Sequence, residues 1–140
     1  FDYFDIINFM SQEFKHHIKV YYEDTDSGGV VYYANYLKFL ERARSEALFS
    51  IGLSNKKLLI EYGALLIVKS CKIEYLKSAK LEDALSIFSK VKSKSRSSFT
   101  MQQIIKKDNQ VITHAEVTLV VVNKNGKPII MPEVLEKIFD

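Results

Sequence analysis

Residues 20–48 constrain the fold of this 140-residue chain more than any other stretch, because a strand, a glycine turn and a helix start follow one another there. Asp24 and Asp26 lie on the turn, just ahead of Gly28 and Gly29. The first N–H groups of a helix have no partner inside the helix, so they can polarise a carbonyl oxygen. The sequence therefore predicts a carboxylate held on an irregular turn beside a helix N-terminus, an arrangement suited to catalysis.

Simpler interpretations of these carboxylates exist. Acids on turns often accept hydrogen bonds from nearby backbone N–H groups and do nothing else. A calcium loop fits poorly, since the twelfth position counted from Asp24 is Asn35, where such a loop carries glutamate. His16 and His17 are adjacent on a predicted strand and face opposite sides, so they cannot share one metal. No metal site is predicted.

Composition limits the classes of partner. Twenty basic residues are spread among seventeen acids, for a net charge of +3, which does not indicate nucleic acid but suits a small phosphate-bearing ligand. The longest apolar runs, such as residues 117–122, are far too short to span a membrane. Cys71 is the only cysteine and lies in an alternating apolar segment, so we expect a reduced thiol in the core and a cytoplasmic location.

The length suits one domain, and a hydrophobic content of 47% is enough for a core. Residues 1–9 precede Met10, where a more ordinary N-terminal sequence begins. We expect residues 1–9 to be an N-terminal extension, disordered or non-native, and residues 10–140 to form the single domain.

Hydrophobic periodicity predicts an α+β fold. Residues 13–23 alternate like a strand, and a helix over residues 35–51 is predicted between an Asn35 N-cap and Gly52. A short helical piece is expected at residues 55–61. Four further segments then have period two, at residues 65–76, 84–94, 98–107 and 111–122. Short turns between them favour an antiparallel meander, so a curled sheet of about five strands should wrap around one long central helix.

The segment YYEDTDSGGVVYYANYLKFLERARSE resembles the hotdog-fold acyl-CoA thioesterases. It is most similar to the short-chain bacterial branch associated with the Tol-Pal envelope system, within the hydroxybenzoyl-CoA thioesterase family. The order of strand, long helix and four strands extends the likeness over residues 13–122. The resemblance implies a bacterial hydrolase with the hotdog fold that converts a short-chain or aromatic acyl-CoA to free acid and coenzyme A. Coenzyme A would be part of the substrate, with no separate cofactor.

The resemblance also implies roles for residues of the turn. Asp26 would be the catalytic carboxylate, acting as nucleophile or as general base for water, and Asp24 would support it. The polarising donor would be the backbone N–H of Tyr33, with Gly28 and Gly29 letting the main chain approach the ligand closely.

One residue departs from the branch pattern. Relatives usually read VYHANY where this chain has Val31-Tyr-Tyr-Ala-Asn-Tyr36, so Tyr33 replaces a histidine. A backbone donor survives that change, whereas a mechanism that needs an imidazole there does not. The substitution favours the hydroxybenzoyl-type arrangement.

Two further groups of residues have both functional and structural interpretations. Glu46 and Arg44, on the charged part of the long helix, either belong to a solvated face or one of them supports the site or a subunit contact. Lys94, Arg96 and Ser97 form a basic turn, which is usually a soluble hairpin, although the resemblance favours contacts to the phosphates of coenzyme A.

Assembly follows partly from the exposed edges of an open sheet, which two copies can remove by pairing. We expect a homodimer at least, and the resemblance implies a homotetramer with active sites at the dimer interface. Three rivals to an acyl-CoA thioesterase are a hotdog dehydratase, a thioesterase acting on acyl carrier protein, and a nonenzymatic acyl-CoA-binding or envelope-complex scaffold. The dehydratase would need a helix-entry histidine, and Tyr33 occupies that place.

Overall fold

Five antiparallel strands form one sheet, as predicted, in the computed structural model, which describes residues 12–139. The strands are β1 (Glu13–Lys19), β2 (Leu65–Tyr75), β3 (Ala84–Lys94), β4 (Ser98–Lys107) and β5 (Gln110–Val122). Their order across the sheet is β1-β3-β4-β5-β2. The predicted extension at residues 1–9 lies outside the described residues.

Within residues 12–139, two α-helices accompany the sheet, so a single central helix is not confirmed. They are α1 (Asn35–Ser50) and the shorter α2 (Asn55–Tyr62), which follows the expected helical piece closely. Two 3₁₀ helices cover Tyr22–Asp24 and Glu133–Ile138. No helix in the described part of the chain is both long and apolar enough to cross a membrane.

The core lies between α1 and one face of the sheet. Helix α1 buries residues at helical spacing, namely Tyr36, Phe39, Leu40, Ala43, Ala47 and Leu48. The sheet buries alternate residues of β3, β4 and β5, including Ile87, Met101 and Val117. Burial of each large apolar side chain contributes about 1.5–3 kcal/mol relative to exposure.

The predicted meander is correct for only part of the sheet. The β3–β4 and β4–β5 hairpins are confirmed, but β2 pairs with β5 and not with β3. The connection at residues 76–83 therefore leads the chain from the β2 edge of the sheet to β3, next to the β1 edge. Strand β1 also ends at Lys19, earlier than predicted, because the Asp24 carboxylate accepts a hydrogen bond from the Tyr21 N–H at 2.9 Å and the chain turns into a 3₁₀ helix.

The two edge strands differ in character. Strand β1 carries lysine and histidine, which discourage pairing with another strand. Strand β2 is exposed along most of its length, and its apolar side chains Ile67, Val68 and Tyr75 are each more than 40% exposed. Cys71 is exposed on the same strand, so the prediction of a core thiol is wrong. The alternating pattern around Cys71 correctly indicates a strand, but no strand among residues 12–139 pairs with the outer edge of β2.

Candidate active site

Asp24 anchors the turn that precedes α1. Its carboxylate accepts from the Tyr21 N–H, and its carbonyl oxygen accepts from the Tyr32 N–H at 3.1 Å and from the Asn35 side chain at 2.9 Å. The side chain is buried, at 8% exposure. These contacts tie the end of the first strand region to the start of α1, so Asp24 has a structural role in this chain.

Asp26 lies on a tight hairpin with its side chain exposed. The Asp26 N–H donates to the Val30 carbonyl at 2.9 Å, and Thr25 and Val31 form an antiparallel bridge just behind it. One carboxylate oxygen, Oδ1, accepts from the Gly28 N–H at 2.8 Å. The other oxygen has no hydrogen-bond partner among residues 12–139, so it is free to meet a ligand or a water molecule.

The two glycines serve different purposes. A Cβ at Gly28 would lie 3.2 Å from Asp26 Oδ1, which is tighter than ordinary contact. Gly29 has φ +79°, a left-handed conformation that glycine adopts at little cost. Gly28 thus leaves room for the carboxylate, and Gly29 permits the hairpin turn.

The start of α1 leaves backbone donors open. The N-cap is Ala34, which offers no side-chain acceptor, so the prediction that Asn35 caps the helix is wrong. The Asn35 amide is instead occupied as a donor to the Asp24 carbonyl. Within the described residues, neither the Tyr33 N–H nor the Ala34 N–H has an acceptor. This is where an oxyanion could be stabilised.

Four tyrosines surround this helix start. The Tyr33 ring lies edge-on to Tyr75 at 6.3 Å and beside Tyr32 at 4.9 Å. Tyr75 also contacts the Tyr36 ring at 5.4 Å, and its hydroxyl is 3.4 Å from the Tyr33 carbonyl. Burial raises the pKa of Tyr36 and of Tyr75, so both phenols are neutral near pH 7. The Tyr33 ring itself is 62% exposed and offers an aromatic surface next to the open N–H groups.

The 76–83 connection supports the hairpin from behind. The Ala79 N–H donates to the Tyr36 hydroxyl at 2.9 Å, and the Ala79 carbonyl accepts from the Val31 N–H at 2.9 Å. At the end of this connection, the Asp83 carboxylate accepts from the Lys80 N–H at 2.8 Å and pairs with Lys107 at 3.0 Å. Burial would raise the pKa of Asp83, but these bonds outweigh it and lower the pKa below 3.8.

A family model described as "Thioesterase-like superfamily" matches residues 20–139, which include the hairpin, α1 and the whole sheet except β1. This chain belongs to the thioesterase-like superfamily. The predicted resemblance to the hotdog thioesterases is thereby confirmed, and so are the fold class and the type of enzyme, a thioester hydrolase.

Individual relatives agree with this assignment. The acyl-CoA thioesterase YbgC of Haemophilus influenzae is 35% identical over 123 residues, covering 87% of this chain and 90% of that protein. The acyl-CoA thioester hydrolase YbgC of Escherichia coli is 38% identical over 122 residues, covering 86% and 90%. Among solved structures, a probable thioesterase from Bartonella henselae superposes with a TM-score of 0.83 at 31% identity, covering 86% of this chain and all of that one.

In this thioesterase, Glu46 does not lie with the hairpin. It lines a separate depression with His16, Lys15 and Ala43, on the side of α1 that faces β1. Glu46 follows Tyr33 by thirteen residues, which corresponds to about 20 Å of helical rise. Within one chain, Glu46 therefore lies apart from the hairpin, and its support of the site or of a subunit contact stays a prediction.

The basic turn is also remote from Asp26 in one chain. Lys94 is the last residue of β3, and Arg96 and Ser97 follow it. The Asp26 hairpin lies near the beginning of β3, about 30 Å away along the strand. Lys94 already pairs with Glu136 at 2.6 Å and lies over the Phe139 ring. Contacts from this turn to coenzyme A stay a prediction.

Several residues around the site were missed by sequence reasoning. Tyr75, the last residue of β2, and Asp83, at the end of the 76–83 connection, are far from the hairpin in the sequence, and only the fold brings them to it. The described residues contain no cluster of three or more His, Cys, Asp or Glu side chains placed to hold a metal ion. That the reaction needs neither metal nor separate cofactor remains a prediction.

Proposed function

We propose that this chain hydrolyses acyl-CoA thioesters, with Asp26 as the reacting carboxylate and the Tyr33 N–H as donor to the carbonyl oxygen. One observation carries the proposal: an exposed carboxylate with a free oxygen lies on the hairpin that leads directly to an uncapped helix start. The names of the YbgC relatives, which are acyl-CoA thioesterases, support coenzyme A as the leaving group.

Asp26 can act in either of two ways. As a nucleophile, its free oxygen attacks the thioester carbon, the C–S bond breaks, coenzyme A leaves as thiolate, and water hydrolyses the resulting anhydride. As a general base, it takes a proton from water, the hydroxide adds to the carbon, and the proton passes to the departing thiolate. Negative charge develops on the carbonyl oxygen in both routes, and the open N–H groups of Tyr33 and Ala34 would stabilise it.

The expected dimer forms, in this proposal, through β2. The β2 edge exposes apolar side chains, whereas the β1 edge carries charged ones. Pairing of two β2 strands therefore removes the edge that is more prone to non-specific association. Leu37 and Phe49 of α1 are 45% and 54% exposed, which leaves apolar helix surface for a partner to cover. Pairing of such dimers into a tetramer, a cytoplasmic location and association with the Tol-Pal system are supported by the resemblance alone.

Thiol release from acyl-CoA esters of graded length, with aromatic esters included, tests the chemistry. We expect Asp26→Asn to lower kcat by about a hundredfold to ten-thousandfold, because it removes both the nucleophile and the base. Asp108→Asn is the matched control, since Asp108 is an exposed aspartate on the β4–β5 turn. Undiminished hydrolysis by Asp26→Asn contradicts the assigned role, and no hydrolysis of any ester by the natural protein favours a binding scaffold.

A further inference from the structure

A second cavity lies along α1, away from the Asp26 hairpin. It has a volume of about 150 Å³, is partly open to solvent, and is lined by residues of α1, α2, the first half of β2, β4, β5 and the 3₁₀ helix Glu133–Ile138. Its body is apolar and includes Leu48, Leu66, Val68, Phe99, Met101 and Leu119. Its polar groups are Glu41, Arg44, Ser45 and Asn55, all on the helical side.

Arg44 places a positive charge beside the apolar side chains of this cavity. Its Nη1 donates to Gln103 Oε1 at 3.0 Å. Gln103 is fully buried, and its amide nitrogen donates to the Leu40 carbonyl and to Ser89, so its oxygen is fixed toward Arg44. The Nη1 end of the guanidinium is therefore held in place by the buried Gln103 side chain.

The remaining donors of Arg44 have no anionic partner. A guanidinium carries five N–H donors, and in residues 12–139 no carboxylate lies within 4.0 Å of Arg44. Burial lowers the pKa of Arg44, although the group stays charged near pH 7. Partly buried cations are normally paired, so this one has unused capacity to bind an anion.

The charge of Glu41, one helical turn away, opposes the lowering of the Arg44 pKa, but its carboxylate does not lie within 4.0 Å of the guanidinium. Its carboxylate is exposed and accepts from Ser45 at 2.9 Å, and Asn55 donates in turn to the Ser45 hydroxyl at 3.3 Å. These contacts hold the carboxylate in a chain of side chains on the outer side of the cavity. The strongest donor left for a ligand inside it is Arg44.

We propose that this cavity receives the far end of the acyl group, and that Arg44 selects acyl groups that end in a carboxylate. The inference rests on the proposed acyl-CoA substrate. A water molecule occupies about 30 Å³ in the liquid, so the cavity has room for a carboxylate and a few methylene groups. Carboxylate and guanidinium match each other in geometry and form two parallel, charge-assisted hydrogen bonds.

The proposed dimer explains how a substrate reaches the cavity. Arg44 lies about 16 Å of helical rise beyond Tyr33 in its own chain. Antiparallel pairing of two β2 strands along their full length, however, sets the start of one strand opposite the end of the other. Leu66 and Val68 line the cavity near the start of β2, and Tyr75 is at its end beside the open N–H groups. Each cavity would thus lie toward the reaction centre of the partner.

Binding of coenzyme A thioethers tests this without any reaction. Two S-alkyl thioethers of equal chain length, one ending in methyl and one in carboxylate, are titrated calorimetrically into the natural protein at several chain lengths. We expect the carboxylate to bind at least about tenfold more tightly at the length that reaches Arg44. Arg44→Gln should abolish the preference, whereas Arg42→Gln, at an exposed arginine of the same helix, should keep it.

Two further variants keep the proposal testable if Arg44→Gln fails to fold. Glu41→Gln removes the nearest negative charge and should increase the preference for carboxylate, and Arg44→Lys keeps the charge without the fork and should retain part of it. Equal binding of both thioethers by the natural protein, or a preference that survives Arg44→Gln, overturns the proposal. Since thioethers cannot be hydrolysed, the result is independent of the role of Asp26, and failure of the proposed function would appear separately in the thiol-release assay.

Discussion

At the scale of residues, substitutions at Gly28 and Gly29 should have different effects. A change at Gly28 should move the Asp26 carboxylate, and a change at Gly29 should strain the backbone. Gly28→Ala places a Cβ 3.2 Å from Asp26 Oδ1 without a positive φ, so it should shift the carboxylate and lower kcat by about tenfold while stability changes little. Gly29→Ala meets open space but has φ +79°, so it should lower the free energy of unfolding by about 1 kcal/mol. Steady-state kinetics and urea unfolding of both variants measure this, and a wild-type kcat for Gly28→Ala would contradict it.

Residue types on the turn were predictable because their reasons are local. An aspartate on a turn often accepts a hydrogen bond from the backbone N–H two residues later, as Asp26 does from Gly28. Asn35 shows the limit of such reasoning: it has the right chemistry for an N-cap, but its amide donates to Asp24, eleven residues earlier. The same limit applies to Arg44, whose partner Gln103 is 59 residues away and has no signal near it in the sequence.

At the scale of elements, the 76–83 connection should make part of the stability dependent on pH. The pKa of Asp83 is lower in the folded chain than its ordinary value, so its contribution is present above the unfolded pKa and is lost as the pH falls through the folded one. We expect Asp83→Asn to cost about 1 kcal/mol at pH 6, mostly because an amide oxygen accepts from the Lys80 N–H less strongly than a carboxylate does. The ion pair contributes less, since Lys107 is 43% exposed and the pair is screened.

Urea unfolding of the natural protein and Asp83→Asn across the acidic range measures that dependence. The difference between them should shrink as the pH falls below about 4, since the natural side chain then becomes neutral as well. Asp108→Asn, on the β4–β5 turn, serves as the control. A difference that stays constant with pH would mean that the charge of Asp83 does not contribute.

Elements with strong periodicity were predicted to within a few residues, because side-chain alternation is a local property. The limits of β3 and β4 agree fully with the prediction. The early end of β1 and the pairing of β2 with β5 could not be predicted in this way. Both depend on which distant backbone lies alongside: Lys19 is the last residue of β1 to face β3, and the chain must cross the sheet before β3 begins.

At the scale of the whole molecule, β2 connects the two proposals, since both the Tyr75 end and the Arg44 cavity border this open edge. In the proposed two-fold dimer, Ile67 lies near the start of β2 and therefore opposite the end of the partner strand, so Ile67→Lys would place two charges in the apolar interface. The substitution should weaken association and reduce activity along with it. Ile67 is 46% exposed on β2, and Ile60, 69% exposed on α2, provides the matched control Ile60→Lys. Sedimentation velocity and thiol release, measured on the same samples, should show a less active monomer for the first variant and an active dimer for the second. A natural protein that is fully active as a monomer would contradict the shared site, and an active dimer of Ile67→Lys would show that the two chains associate through another surface.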